Sequence, residues 1–156
     1  MLTARFDEQH GWSGHVKVTR RDLAGRVIDV VEFDNVITNV GKNHARDCLA
    51  GTVDPQVKYV ALGSSSVAPS TSDTQLGNEQ MRKQVTDRTV GGTGVLTTTV
   101  YIAPNEGNFQ IEEIGWFAGS GATGASNTGT LISRVLYSHL KNVLESIQVD
   151  RTDTFS

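Results

Sequence analysis

The segment Trp12-Ser13-Gly14-His15-Val16-Lys17-Val18-Thr19 alternates apolar or glycine positions with polar ones along its whole length. A period of two residues predicts a β-strand with one buried face. Residues 20–26 contain the turn formers Asp22 and Gly25, and a run of β-branched residues follows at 27–33. The sequence therefore predicts an antiparallel hairpin at the start of the chain.

Further strand-like segments recur at short intervals after this hairpin. A glycine-rich connection at 91–94 joins two of them and predicts a second hairpin. One short helix is predicted over 42–50, because Ala45 and Leu49 are at helical spacing and Gly51 can adopt the left-handed conformation that ends a helix. A single helical turn is predicted over 73–80. The predicted later strands are Val57–Gly63 and residues 81–90, 95–103, 109–117, 131–136 and 146–155.

About eight short strands with one helix predict an all-β fold, an antiparallel jelly-roll-like β-sandwich. The length of 156 residues fits a single domain, which we expect over residues 12–156 after an N-terminal arm of residues 1–11. Residues 119–129 are almost entirely small and polar. We therefore expect a mobile surface loop, because the segment has no side chains of its own able to anchor it.

Charge and cysteine content restrict the classes of partner and fold. Fourteen Lys and Arg against seventeen Asp and Glu give a net charge of −3, which offers no general attraction to nucleic acid or to anionic membranes. The single cysteine, Cys48, excludes an internal disulfide. We expect it to be a small buried hydrophobic residue, and the alternative is an exposed, reactive thiol. No apolar run resembles a signal peptide or a spanning helix, which predicts synthesis in the cytoplasm without export.

The sequence offers little for catalysis. The segment Gly11-Trp12-Ser13-Gly14 misses the spacing of a nucleophile elbow, and the four histidines are dispersed. Glu112 and Glu113 are neighbours on a predicted strand, so they point to opposite faces and cannot flank one scissile bond. We expect one to be exposed and the other to pair with a cation such as Arg82 or Arg134. We predict no enzyme activity, no cofactor, no metal and no small-molecule substrate.

Three stretches, taken in order, resemble a group of bacteriophage virion proteins. They are residues 35–41 (NVITNVG), residues 59–63 (YVALG) with 68–76 (APSTSDTQL), and residues 111–117 (IEEIGWF). This order resembles small phage structural proteins and the attachment regions of tail-fibre and baseplate proteins. The resemblance implies a β-rich, non-enzymatic component of the virion.

Within this resemblance, we expect a chain of this length to contain neither a fibrous shaft nor a receptor-binding tip. We therefore expect a capsid-associated cement or decoration protein that binds and stabilises the shell. The alternative is a small tail, neck or baseplate component with the same fold. A third hypothesis, a carbohydrate-binding or hydrolytic sandwich, is disfavoured because no carboxylate pair has suitable geometry and the chain has only ten aromatic residues.

The expected partners are further copies of the chain, as a dimer or trimer, and other virion proteins, first the major capsid protein. We expect the arm to order against a neighbouring subunit through its apolar residues. Of the adjacent rings Trp116 and Phe117, we expect one to be in the core and the other to face a partner. The predicted partner-binding residues are Leu2, Phe6, Trp12, Arg20, Arg21, Pro69 and Trp116.

Overall fold

The computed structural model describes residues 11–156, which form two five-stranded antiparallel sheets and a short helix. The predicted fold class, an all-β antiparallel sandwich with one short helix, is confirmed, although ten strands are present where about eight were expected. The elements are β1 (Trp12–Asp22), β2 (Val27–Asp34), β3 (Val36–Ile37), α1 (Asn39–Leu49), β4 (Val57–Gly63), β5 (Glu79–Gln84), β6 (Asp87–Val90), β7 (Val95–Ile102), β8 (Gln110–Ala118), β9 (Thr130–Leu140) and β10 (Glu145–Phe155).

The first sheet has the strand order β2-β1-β10-β7-β6, and the second has the order β3-β9-β8-β4-β5. The predicted first hairpin is confirmed as β1 and β2. Its turn is held by Asp22, whose Oδ1 accepts the backbone N–H groups of Ala24 and Arg26, and Gly25 supplies the positive φ of 80°. The central strand of the first sheet is β10, and it is paired with β1 without a break from Trp12 opposite Phe155 to Asp22 opposite Glu145.

The segment 81–90, predicted as one strand, is two strands that belong to different sheets. Val85 donates its backbone N–H to the carbonyl oxygen of Lys58 in the second sheet, whereas the next N–H, of Thr86, goes to Thr99 in the first sheet. The chain therefore crosses the sandwich between β5 and β6. Only β6 forms the predicted second hairpin with β7.

Helix α1 begins at Asn39, three residues before its predicted start, because Thr38 caps it. The Thr38 hydroxyl accepts the N–H of Gly41 at 2.9 Å and is itself buried. A Cβ at Gly41 would lie 2.5 Å from the carbonyl oxygen of Ile132, so the glycine lets the helix approach β9 closely. The face that packs inward contains Gly41 and His44, while Leu49 is 93% exposed.

Two apolar cores lie on the two faces of the second sheet. The main core is between the sheets and includes Trp116, Ile114 and Val149. A smaller core lies on the outer face, where Phe117 packs with Leu76 and Ala122. The segment 73–80 that supplies Leu76 consists of bends and irregular chain followed by the start of β5, so the predicted helical turn is wrong.

Glu113, on the outer face of β8, is fully buried and holds the 64–78 loop against the sheet. Its carboxylate accepts the backbone N–H groups of Ser65, Gly77 and Asn78 at 3.2, 3.0 and 2.8 Å. Arg134 on β9 donates to it from Nε at 2.7 Å. The expected pairing of one of the two glutamates with a nearby cation is confirmed, with Glu113 as the carboxylate and Arg134 as the cation.

The 119–129 loop is anchored by a side chain from another strand, an anchor that the composition of the loop itself does not predict. Arg82 on β5 donates from Nη1 to the carbonyl oxygens of Thr123 and Thr128 at 3.0 and 2.9 Å. Arg82 is fixed in turn by an ion pair with Glu79, whose side chain is also buried. The acceptors in the loop are mainly backbone carbonyl oxygens. Every residue has one, so a loop of small residues can be anchored in this way.

Glu113→Gln tests the buried carboxylate. The amide nitrogen that replaces one oxygen cannot accept a hydrogen bond, so the free energy of unfolding should fall by about 3 kcal/mol or more, as for a broken buried ion pair. The measurement is the midpoint of urea unfolding at an unchanged m-value. Glu112→Gln on the same strand is the matched control and should change stability by no more than about 0.5 kcal/mol. Equal shifts in the two variants would contradict the prediction.

Arg82→Met tests the anchor of the 119–129 loop. Loss of charged hydrogen bonds to the loop should speed amide exchange in residues 119–129 by about tenfold or more. Hydrogen exchange read by mass spectrometry measures this, with the amides of β10 as the internal reference. Lys83→Met is the control, because Lys83 pairs with Glu106 and not with the loop. Identical loop exchange in both variants would rule out this role of Arg82.

Candidate functional site

Large apolar side chains are exposed along β2 and at the end of the sandwich where the β1–β2 and β9–β10 turns meet. The two turns are adjacent because Asp22, the last residue of β1, pairs with Glu145, the first residue of β10. We call this region the hairpin end; its apolar residues, each more than half exposed, are Leu23, Leu140, Val143 and Leu144. On β2, an edge strand that pairs only with β1 among the described strands, the exposed apolar residues are Val27, Ile28, Val30 and Val31.

A charged network beneath the hairpin end connects four strands, β1, β2, β9 and β10. Arg20 donates to Glu145 at 2.8 Å and to Asp29 at 3.3 Å, which joins β1 to β10 and β2. His139 lies 2.6 Å from the other oxygen of Glu145. Burial alone would raise the pKa of Glu145, but the hydrogen bonds from His139 and Arg20 outweigh it and lower that pKa. The network fixes the strands that carry the exposed apolar residues.

Lys141 holds the β9–β10 turn to the loop that precedes β8. Its ammonium group is buried and donates to the carbonyl oxygens of Ala103 and Pro104 and to Oδ1 of Asn108, at 3.0 to 3.2 Å. Burial lowers the pKa of Lys141. Val143 and Leu144 therefore lie in a turn whose first residue, Lys141, is fixed by hydrogen bonds.

A groove of ≈ 390 Å³ lies at the opposite end of β1, beside helix α1. We call it the terminal groove; its walls include Trp12, Cys48, Leu49, Leu96, Ile132 and Phe155. The rings of Trp12 and Phe155 are stacked with their centroids 5.4 Å apart. Cys48 is a free cysteine and only partly buried, so the expectation that it is a buried hydrophobic residue is only partly met.

The structure separates the residues predicted to bind partners. Leu2 and Phe6 lie outside the described residues. Trp12 is at the terminal groove, where its indole N–H donates to Asp153 at 2.7 Å. Arg20 is engaged in the network above, while Arg21 donates to Gln148 at 3.1 Å. Pro69 is half-buried in the 64–78 loop. This loop belongs neither to the hairpin end nor to the walls of the terminal groove.

Trp116 and Phe117 are both fully buried, contrary to the expectation that one of them faces a partner. They do point to opposite faces of β8, since Trp116 packs between the sheets and Phe117 packs outward. The outward face is covered by Leu76 and Ala122 from the two loops on the second sheet. A sequence that places two rings on opposite faces of a strand does not show whether a loop covers one of those faces.

The exposed residues of the hairpin end were not singled out from the sequence. The available signal is the position of Leu23, Val143 and Leu144 in segments that are turns, where apolar side chains have no strand neighbour to cover them. In the sequence alone, these apolar residues are equally consistent with the ends of buried strands. The pairing of β1 with β10 is needed to show that they lie in exposed turns.

Within residues 11–156, the structure assembles no group of three His, Cys, Asp or Glu side chains able to hold a metal ion. Among the same residues no helix has the length and apolar character needed to cross a membrane. The Glu112 side chain is partly exposed and accepts from Gln110, whereas the buried Glu113 is saturated by hydrogen bonds. The two carboxylates therefore share no site.

Comparison with protein families matches residues 30–126, more than half of the chain, to the N-terminal domain of the phage tail-collar fibre proteins. The chain belongs to this phage tail-collar fibre family. Searches among curated proteins and among solved structures found no match. The protein is thus a structural component of the phage tail and of the virion, and the match favours the tail alternative over the capsid-cement hypothesis.

The family match covers the elements that carry the outer core of this tail-fibre domain. It includes α1, β4, the 64–78 loop and β8 with Glu113. The expected resemblance to virion proteins, based on residues 35–41, 59–63 with 68–76, and 111–117, is confirmed. Strands β1, β9 and β10, which form much of the hairpin end, lie outside the matched residues.

Stability at high pH tests the packing beneath the hairpin end. Tyr137 lies against Phe33, and burial raises its pKa from 10.0 to about 12. The unfolded phenol ionises first, so the free energy of unfolding should fall as the pH rises from 10.0 to about 12. Tyr137→Phe should flatten that fall in urea unfolding at stepped pH. Tyr101→Phe, which removes an exposed phenol, is the control, and equal flattening in both variants would contradict the assignment.

Proposed function

We propose that the protein is a non-catalytic attachment module of the phage tail, which binds another tail protein through the hairpin end and the adjoining edge of β2. The observation that carries the proposal is the group of large apolar residues exposed at the hairpin end of a chain that belongs to a tail-fibre family. Large exposed apolar patches on soluble proteins mark sites of interaction with other molecules.

The rigidity of this surface supports a docking role. Strands β1, β2 and β10 are cross-linked by Arg20, and the β9–β10 turn is tied down by Lys141. A pre-ordered surface loses little conformational entropy on binding, so more of the apolar contact appears as affinity. The edge of β2 that faces away from β1 pairs with no strand of residues 11–156, and it could also pair with an extended segment of the partner.

Binding alone accounts for the features of the described residues. The buried ion pairs hold loops and turns in place, and their carboxylates are occupied by protein donors. A role in joining tail components requires a stable shape and an apolar contact surface, and both are present at the hairpin end. Copies of the chain are further candidate partners, as a dimer or trimer.

Leu144→Asp tests this surface. Burial of one leucine side chain contributes about 1.5–3 kcal/mol, so the substitution should weaken binding by about tenfold or more. The probe is tails isolated from phage particles that lack this protein, and binding is measured by co-sedimentation. Val90→Asp is the matched control, because Val90 is exposed on β6 at the other edge of the same sheet.

The outcomes separate the hypotheses. Full binding by Leu144→Asp, with circular dichroism and melting temperature like those of the control, would place the interface elsewhere. Binding of the wild-type protein to isolated capsid shells but not to tails would overturn the tail assignment and restore the cement hypothesis. Sedimentation of the protein without tails measures whether it associates with itself.

A further inference from the structure

Three buried polar atoms inside the sandwich find no hydrogen-bond partner among residues 11–156. They are Nη1 of Arg151 on β10, Nε1 of Trp116 on β8 and Oγ1 of Thr98 on β7. All three residues are almost completely buried. A buried polar group without a partner costs as much free energy as a lost hydrogen bond or more, so three of them in one core require an explanation.

Arg151 is a neighbour of both other groups. Thr98 lies directly opposite Arg151 in the pairing of β7 with β10, and side chains of opposed residues share one face of a sheet. The Cζ atom of Arg151 is 5.5 Å from the ring centroid of Trp116, which packs between the sheets from the opposite side. The unpartnered atoms therefore belong to one cluster that spans the core.

The other nitrogens of Arg151 have partners within the protein. Nη2 donates to Oδ1 of Asp153 at 2.5 Å, so the charge of the guanidinium is balanced by a carboxylate. Nε donates at 3.2 Å to the amide oxygen of Asn35, in the amide orientation that also lets Asn35 donate to the carbonyl oxygen of Gly14. What is left is two nitrogen donors beside one hydroxyl, which can donate or accept.

We propose that a water molecule is bound inside the sandwich, where it accepts from Nη1 of Arg151 and Nε1 of Trp116 and donates to Oγ1 of Thr98. Buried waters make about three such bonds, to groups that would otherwise be unsatisfied. An anion would also satisfy the two nitrogen donors. Because Asp153 already balances Arg151, an anion would add an uncompensated charge to the core, whereas a water adds none.

A cavity of ≈ 600 Å³ at the side of the sandwich gives solvent a path toward this cluster. Its lining includes Trp12, Gly14 and Asn35. The Trp12 ring centroid is 5.9 Å from Cζ of Arg151, and Asn35 accepts from its Nε, so these two side chains separate the cavity from the guanidinium. The proposed water site does not involve the hairpin end and is independent of the docking role.

The indole N–H of Trp116 reports on the water directly by NMR of the full-length protein. The chain has two tryptophans, so the spectrum of Trp12→Phe assigns the indole signal of Trp116. We expect a cross-peak between this indole proton and water, with opposite signs in NOESY and ROESY spectra, as for a long-lived bound water and not for proton exchange with solvent. Absence of this cross-peak would overturn the proposal. A shift of the indole signal on adding chloride, without the water cross-peak, would assign the cluster to an anion and overturn it as well.

Thr98→Val gives stability changes of opposite sign for a hydrated and a dry cluster. With the water in place, valine removes its acceptor, so the equilibrium constant for unfolding in urea should rise by about tenfold. In a dry cluster, valine replaces an unpartnered hydroxyl with a methyl group and should stabilise the protein. Thr97→Val on the outer face, where the Thr97 hydroxyl meets that of Thr152 at 3.1 Å, is the control and should change stability little. Unchanged or increased stability of Thr98→Val would overturn the proposal.

Discussion

The buried carboxylate of Glu113 is the interaction on which the outer half of the molecule depends. A charge in an apolar sheet is costly unless it is fully hydrogen-bonded, and here three backbone N–H groups and Arg134 satisfy it. The three backbone donors come from a loop that has no regular secondary structure of its own. The carboxylate therefore acts as the organising centre of that loop, and Leu76 is brought over Phe117 as a result.

The space around Glu113 is adapted to it. A Cβ at Gly63 would lie 2.4 Å from Oε1 of Glu113, and a Cβ at Gly115 would lie 2.6 Å from the side chain of Leu76. Glycine at both positions leaves room for the carboxylate and for the loop above it. The motifs YVALG and IEEIGWF are thus parts of one packed unit: each contributes a glycine, and the second also contributes the charge.

Local patterns predicted the elements whose formation depends on neighbours in sequence. The sequence predicted the alternation in β1, the turn at Asp22 and Gly25, and the glycine that ends α1. It also predicted that one of the two glutamates pairs with a cation. What the sequence did not reveal depends on distant partners. The change of sheet at Val85 preserves the strand pattern, Arg82 holds the 119–129 loop from another strand, and Phe117 is hidden by a loop. The exposure of Leu23 and Leu144 likewise became evident only when β1 was known to pair with β10.

The uninterrupted match of β1 with β10 has a mechanical consequence. These strands run from the terminal groove, where Gly11 and Ser156 lie side by side, to the hairpin end. A pull applied between those two ends acts along the strands and loads all the cross-strand hydrogen bonds together in shear. A force that separated Gly11 from Ser156 would instead break the same hydrogen bonds one after another, in the unzipping geometry. The sandwich is accordingly strongest along the axis that joins its two apolar ends.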